Sequence, residues 1–218
     1  HPEFCRAGET ARFAAKLNAA LRHAGRILCN SEATRTAVAR HAGAVCPPLQ
    51  VAPLGIAPAQ PDPTTPRPPA PYFVALGTIE PRKGHDFLLD LWDHLNATLP
   101  AGTVPGLCLI GHRGWAASGL LARLDHACPP GVRELGAQPD GAVTALLSGA
   151  AGLLMPSHAE GFGLPVAEAA ALGVPVIAHP LPVYREILGD YPVYATTGDL
   201  YSWAREISVL AAGTVRRP

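Results

Sequence analysis

From Tyr72 onward the sequence alternates short apolar runs with longer stretches of helical periodicity, and this alternation limits the fold more than any other feature. Apolar runs fall at 72–76, 107–110, 132–135, 153–155, 174–178 and 191–194. Helical patterns lie between most of them, at roughly 85–98, 117–127, 140–149 and 165–172. Strands separated by helices are joined by crossovers, which make the sheet parallel and put helices on both of its faces. The expected fold class is therefore α/β, with a doubly wound parallel sheet. In such sheets a ligand sits outside the carboxyl ends of the strands. Four strand ends here run into loops that combine Gly or Pro with polar groups, at 77–84, 111–114, 136–140 and 156–163. All four are expected to meet on one edge.

The last of these loops carries the most chemistry. Ser157-His158-Ala159-Glu160-Gly161-Phe162-Gly163 holds two glycines and one carboxylate, and Leu164 and Pro165 follow. Proline suits the first turn of a helix, and the Ala-rich run 166–172 is strongly helix-favouring. Gly173 fits a C-terminal cap, and 175–178 reads as a short apolar strand. Glycines allow a backbone to approach a ligand closely, and a helix start offers N–H groups to an anion. Two carboxylates, Glu160 and Glu168, belong to the same stretch. A carboxylate repels phosphate and accepts hydrogen bonds from hydroxyls, so it would serve another part of the same ligand. Phosphate plus hydroxyls describes a nucleotide or a sugar nucleotide. On spacing alone, a glycine-rich turn with Glu160 in solvent and Glu168 on a wet helix face fits as well.

Arg82 and Lys83 follow the first strand of the series and precede a helix. Adjacent cations there suit a diphosphate, Arg as a fork and Lys as a point charge; two solvated basic residues are the plainer alternative. Gly77, just ahead of them, would let the backbone come close to a ligand. His112, Arg113 and Trp115 read as ordinary loop or packing residues as readily as ligand contacts. Asp140 reads equally as a helix cap.

Glu160 and Glu168 are separated by seven residues, preceded by Pro156-Ser157 and followed by Gly173-Val-Pro-Val-Ile177. This stretch resembles the donor-site motif of the family 4 retaining glycosyltransferases. Gly77-Thr-Ile-Glu-Pro-Arg-Lys-Gly-His85 resembles the first donor loop of that family, and Leu135-Gly136-Ala137 is similar to the loop bordering its nucleobase. The resemblance implies the donor-binding C-terminal half of a GT-B fold, a Rossmann-like domain, and is densest at 73–85 and 153–187. It implies that Arg82 and Lys83 hold the diphosphate and stabilise it as it leaves. It further implies that Glu160 meets hydroxyls of the donor sugar, with the backbone around Gly161, Phe162, Gly163 and Leu164 facing the phosphates. Glu168 would take the ribose hydroxyls, and Gly77 and Gly136 would lie against the ligand. Arg82, Lys83 and Glu160 are the implied catalytic groups. No metal and no cofactor beyond the nucleotide sugar itself are implied.

The phrases Gly77-Thr-Ile-Glu-Pro-Arg-Lys and Gly-His-Arg-Gly-Trp115 resemble bacterial surface-polysaccharide mannosyltransferases. They favour GDP-mannose over UDP-sugars and a saccharide or lipid-linked acceptor. A cytoplasmic enzyme, at most peripherally associated with a membrane, is the implied setting. A non-catalytic nucleotide-sugar binding module, or an epimerase or phosphorylase on the same fold, remains open beside this reading. A nicotinamide dehydrogenase is disfavoured, because no strand leads into G-x-G-x-x-G.

The first third of the chain reads differently. Residues 9–25 carry Phe13, Leu17, Ala20 and Leu21 at helical spacing, 26–30 is a short strand, and Ser31 caps a second helix. Ile27 to Arg35 resembles the end of the acceptor-side domain of the same family, which makes 1–48 a remnant of that domain. Residues 49–71 are expected to form an interdomain crossing and linker. Seven prolines in the fourteen residues 58–71 exclude a helix or central strand and give a stiff, extended connection. Residues 72–212 then form the donor domain and 213–218 a tail. On this reading about 150 residues of an ordinary-sized domain precede the chain, and the chain alone would be inactive. The strand at 26–30 would have no sheet neighbours, so 1–45 is expected to pack on another copy, giving a homo-oligomer, or to be poorly ordered.

Composition closes off several classes. The 218 residues are 48% hydrophobic and 16% charged, a globular balance, and the formal net charge is zero, which argues against nucleic acid as a partner. No apolar run approaches the ~20 residues of a membrane span. Five cysteines without a C-x-x-C pair point to a reducing setting, with Cys108 as a small core residue. The nine histidines show no metal-ligand spacing.

Overall fold

A computed structural model describes residues 1–6, 8–43, 46–115 and 118–213. After a short 3-10 turn at Pro2–Phe4, the N-terminal part contains helix α1 (Glu9–His23), strand β1 (Ile27–Cys29), helix α2 (Glu32–Ala42) and strand β2 (Leu49–Val51). β1 and β2 pair in parallel, with Ile27 opposite Leu49 and Cys29 opposite Val51. The expected lone strand is thus corrected: the first residues of the crossing segment supply its neighbour. No residue of α1 is buried, and Phe13 and Leu28 are exposed.

The rest of the chain is a six-stranded sheet with helices on both faces. Its elements are β3 (Tyr72–Leu76), α3 (His85–Thr98), β4 (Gly106–Ile110), α4 (Ser118–His126), β5 (Val132–Gly136), α5 (Asp140–Gly149), β6 (Gly152–Met155), α6 (Leu164–Ala171), β7 (Val176–Ala178), α7 (Pro182–Leu188), β8 (Val193–Tyr194) and α8 (Leu200–Ala211). All pairings are parallel and the order is β5-β4-β3-β6-β7-β8. The chain winds outward from β3 in one direction and from β6 in the other, so the two halves part at the β3–β6 pair.

Alternation along each strand explains both layers. Tyr72, Val74, Cys108, Ile110, Leu153, Met155, Val176 and Ala178 point to one face and pack with α5, α6 and α7. Phe73, Ala75, Leu107, Leu109, Leu154 and Ile177 point to the other and pack with α3, α4 and α8. A strand buried on both faces needs a continuous apolar run, which is what made these strands visible in the sequence. The two buried tryptophans bring polar tips that are satisfied: Trp92 Nε1 donates to Pro105 O and Trp203 Nε1 to Thr196 O. Cys108 lies in this core, where burial pushes its thiol up to about 11.

Several boundaries move. The strand expected at 174–178 starts at Val176, because Gly173 turns the chain and Val174 N still bonds Ala169 O. That at 191–194 shortens to two residues: Tyr191 N is used by Leu188 O, and Pro192 has no N–H. The helix expected from 117 starts at Ser118, and residue 117 lies outside the described residues, as do 214–218 of the tail. Helix α7 has no counterpart in the sequence reading. The Pro-rich segment holds no helix or strand, turns where Thr65 N donates to Asp62 O, and meets the start of α5, where Asp62 N donates to Gly141 O. No helix among the described residues is long and apolar enough to cross a membrane.

Candidate functional site

The carboxyl ends of the strands share one edge, and their loops are joined through the backbone. Gly111 N donates to Gly136 O, Ile79 N to His112 O, Gly114 N to Ile79 O, and His158 N to Arg82 O. Four loops expected to converge are therefore stitched in the order 136, 111, 79, 158. The loops after β3 and β6 also approach closely. A Cβ on Gly84 would stand 2.6 Å from Pro156 O, so only glycine, at φ +67, permits that approach.

Arg82 and Lys83 lie in a 3-10 turn, Pro81–Lys83, and point at Glu160 from the neighbouring loop. Lys83 Nζ is 2.7 Å from Glu160 Oε1, and Arg82 Nη1 is 2.8 Å from Glu160 Oε2. Arg82 also pairs with the buried carboxylate of Glu80 and donates to Ala159 O at 2.8 Å. Burial works to lower the Arg82 pKa, but Glu160 and Glu80 outweigh it and leave it raised. Gly77, expected to lie against the ligand, also makes room for Lys83. Its φ is +142, and an added Cβ would meet Lys83 Cε at 2.8 Å, so the bare backbone makes room for the Lys83 stem.

Beyond Glu160 the loop turns into α6. Phe162 is buried, Leu164 is exposed at the helix start, and Gly163 caps the helix at φ +94. The ring of Tyr184, on α7, fills the space beside Gly163, where a Cβ would come within 2.5 Å of Cε1. Glu168 lies on α6, half-buried, with its carboxyl pushed up by burial and by Asp140. Gly136, at φ +67, opens the loop that leads to Asp140. Asp140 starts α5 but does not cap it; that position is Pro139.

Arg113 is taken up by Glu134 and Asp125, and Trp115 Nε1 donates to Phe4 O beneath the Arg6 guanidinium. Both serve the frame. His158, missed in the sequence, stacks on Phe4 and meets His179 edge-on. Burial and then His158 lower the His179 pKa. Glu80, Glu160, Arg82 and His158 face Phe13 and Thr34 across a cleft of about 1130 Å³.

Among the described residues, the buried side-chain atoms without a hydrogen-bond partner are Asn30 Oδ1, His85 Nδ1, Ser157 Oγ and Tyr184 Oη. Asn30 lies by Gly161, His85 follows Gly84, Ser157 is in the β6 loop and Tyr184 backs Gly163.

A family model, glycosyl transferases group 1, matches residues 41–209. A serotype-specific mannosyltransferase of Escherichia coli, WbdA, is 34% identical over 127 residues, which are 57% of this chain and 15% of that protein. The O-antigen chain mannosyltransferase B of Escherichia coli is 35% identical over 133 residues, 59% of this chain and 34% of that one. The chain thus spans about a third or less of these curated relatives. Among solved structures, Anabaena HepE in complex with UDP-glucose superposes with a TM-score of 0.74 at 20% identity, covering 98% of this chain and 60% of that one. The agreement with HepE is one of fold.

Proposed function

This chain belongs to the group 1 glycosyl transferases, and on that footing we propose that it is the donor-binding part of a retaining hexosyltransferase that uses a nucleoside-diphosphate sugar. The observation that carries the reading is the Arg82–Glu160–Lys83 cluster at the point where the two halves of the sheet part. Two cations converge there on one anion. A diphosphate would offer negative charge in the same place, and Glu160 can then accept hydrogen bonds from hydroxyls of the sugar. Glu168 takes the ribose hydroxyls, the backbone of Gly161 to Leu164 faces the phosphates, and Gly136 borders the base.

In transfer, the bond between the anomeric carbon and the diphosphate oxygen breaks, and an acceptor hydroxyl oxygen bonds to the same face. The hydroxyl proton passes to the departing phosphate. Arg82 and Lys83 stabilise the negative charge that grows on that leaving group, with no metal required. Similarity to two mannosyltransferases favours GDP-mannose as donor and a growing saccharide as acceptor. HepE, crystallised with UDP-glucose, keeps a uridine donor in the comparison.

The test is calorimetry with GDP, GDP-mannose, UDP and UDP-glucose. Lys83→Ala and Arg82→Ala should each cost about 1.5–3 kcal/mol in nucleotide binding, roughly tenfold to a hundredfold. Binding should survive chelation of divalent ions. If Lys83→Ala binds every nucleotide as the parent does, or if EDTA abolishes binding and manganese restores it, the assignment is wrong.

A further inference from the structure

The carboxylate of Glu160 is held by Lys83 and Arg82, and its flanking carbonyls are held as well. Ala159 O accepts from Arg82. Gly161 O accepts from two hydroxyls that come from the other part of the chain, Ser31 Oγ at 2.8 Å and Thr34 Oγ1 at 3.1 Å. Ser31 is fully buried, and its oxygen also accepts from Thr34 N at 3.0 Å. One side chain therefore caps α2 and grips the loop.

Helix α2 is in turn fixed to the donor side. Glu186, on α7, accepts from Glu32 N at 2.6 Å and from Ala33 N at 3.0 Å. With Thr34 N bound to Ser31, the N–H groups of 32, 33 and 34 in the first turn all have carboxylate or hydroxyl acceptors. A carboxylate at a helix start is favourable through the backbone dipole as well as through the hydrogen bonds. The first turn of α2 is thereby a fixed point against which the Glu160 loop is set.

We propose that Ser31 and Thr34 are positioning residues for Glu160: by holding the Gly161 carbonyl they set the direction in which the Glu160 carboxylate faces the donor sugar. This rests on the function proposed above. It assigns specificity for the intact sugar nucleotide to a helix outside the donor domain. Ordinary stabilisation by two hydrogen bonds would instead affect all ligands alike.

Thr34→Val, in the chain as it stands, removes one donor at the loop while keeping the shape of the side chain. Calorimetry with UDP-glucose, GDP-mannose, UDP and GDP should show the sugar nucleotide weakened by about threefold to tenfold, the range of one net hydrogen bond. The bare nucleoside diphosphate should change by less than about twofold, and Thr34→Ser should restore the parent values. Amide exchange at 160–163 should also be faster in Thr34→Val without ligand. Equal loss for both ligand classes, or no loss, overturns the inference. Unchanged exchange overturns it whatever the ligands do. A parent chain that binds none of the four nucleotides sinks the functional reading, and the exchange measurement then still judges the positioning.

Discussion

Lys83 Nζ and Glu160 Oε1 lie 2.7 Å apart, so the cation proposed to hold a phosphate and the carboxylate proposed to meet a sugar satisfy each other. Both side chains are about nine-tenths shielded from solvent. On the proposed function, donor binding is an exchange of anions on Lys83 and Arg82, in which the diphosphate takes the cations and Glu160 is released toward hydroxyls. Glu160→Gln separates the two halves of that exchange. It should destabilise the free protein by about 1–3 kcal/mol, because the buried Lys83 loses its charged partner while Arg82 keeps Glu80. Bare nucleoside diphosphate should bind as well as to the parent or better, while the sugar nucleotide binds roughly tenfold more weakly. Thermal shifts with and without GDP or UDP, beside calorimetry, measure both effects. Equal weakening of both ligands would contradict the exchange.

Gly77→Ala tests the same pair without touching a charge. The new methyl group would stand 2.8 Å from Lys83 Cε, at a φ of +142 that side chains rarely adopt. The backbone strain alone should cost about 1–3 kcal/mol. Displacement of Lys83 should lower nucleotide affinity as Lys83→Ala does. Urea melts and calorimetry report the two costs; a variant with parental nucleotide affinity would show that Lys83 does not depend on Gly77.

The contrast between these residues shows what could be read in advance. Arg82, Lys83 and Glu160 were legible because strand ends in a parallel sheet face one edge, and because glycines, cations and carboxylates there belong to few chemistries. Gly77 was legible as a special backbone position but not as the seat of a side chain. Tyr184 and Glu186 were hidden because α7 has only seven residues, two turns, too few to show a period. Ser31 was legible as a helix cap; its second partner is 130 residues away, and no local pattern could indicate it.

Glu168 gives a pH-dependent prediction. Burial and Asp140 raise its carboxyl pKa in the fold. The folded chain therefore holds this proton more tightly than the unfolded chain does. The stability tied to the protonated form is complete below the ordinary glutamate pKa and is lost as pH rises through the raised value. At pH 7 the ionised carboxylate is a cost to folding. Glu168→Gln should melt higher than the parent at pH 7, and the difference should shrink toward pH 4. It should also weaken all nucleotides, whatever sugar they carry. A variant that melts lower than the parent at pH 7 would contradict the assignment.

His85 acts in the opposite direction. Its pKa is lowered to about 4, by burial first and by Lys83 second. The unfolded chain binds this proton more readily, so the stability from neutral His85 is complete above about 6.5 and is lost as pH falls through about 4. His179, also lowered, adds in the same sense. The parent should lose stability across that window, and His85→Asn should lose about 1–3 kcal/mol less over it. Urea midpoints at intervals from pH 7 to pH 4 provide the comparison. Identical slopes for parent and variant would place the acid sensitivity elsewhere.

The links between the four strand-end loops run from main-chain N–H to main-chain O, from Gly136 through Gly111, Ile79 and His112 to Arg82 and His158. A frame of that kind does not depend on which side chains it carries. On the proposed function, the exposed His112 and Ala137 can therefore be randomised together in a library for altered donor choice, with the scaffold retained. Gly77, Gly84, Gly111 and Gly163 fall outside such a library, because each has a positive φ and a neighbour within 3 Å of where a side chain would begin.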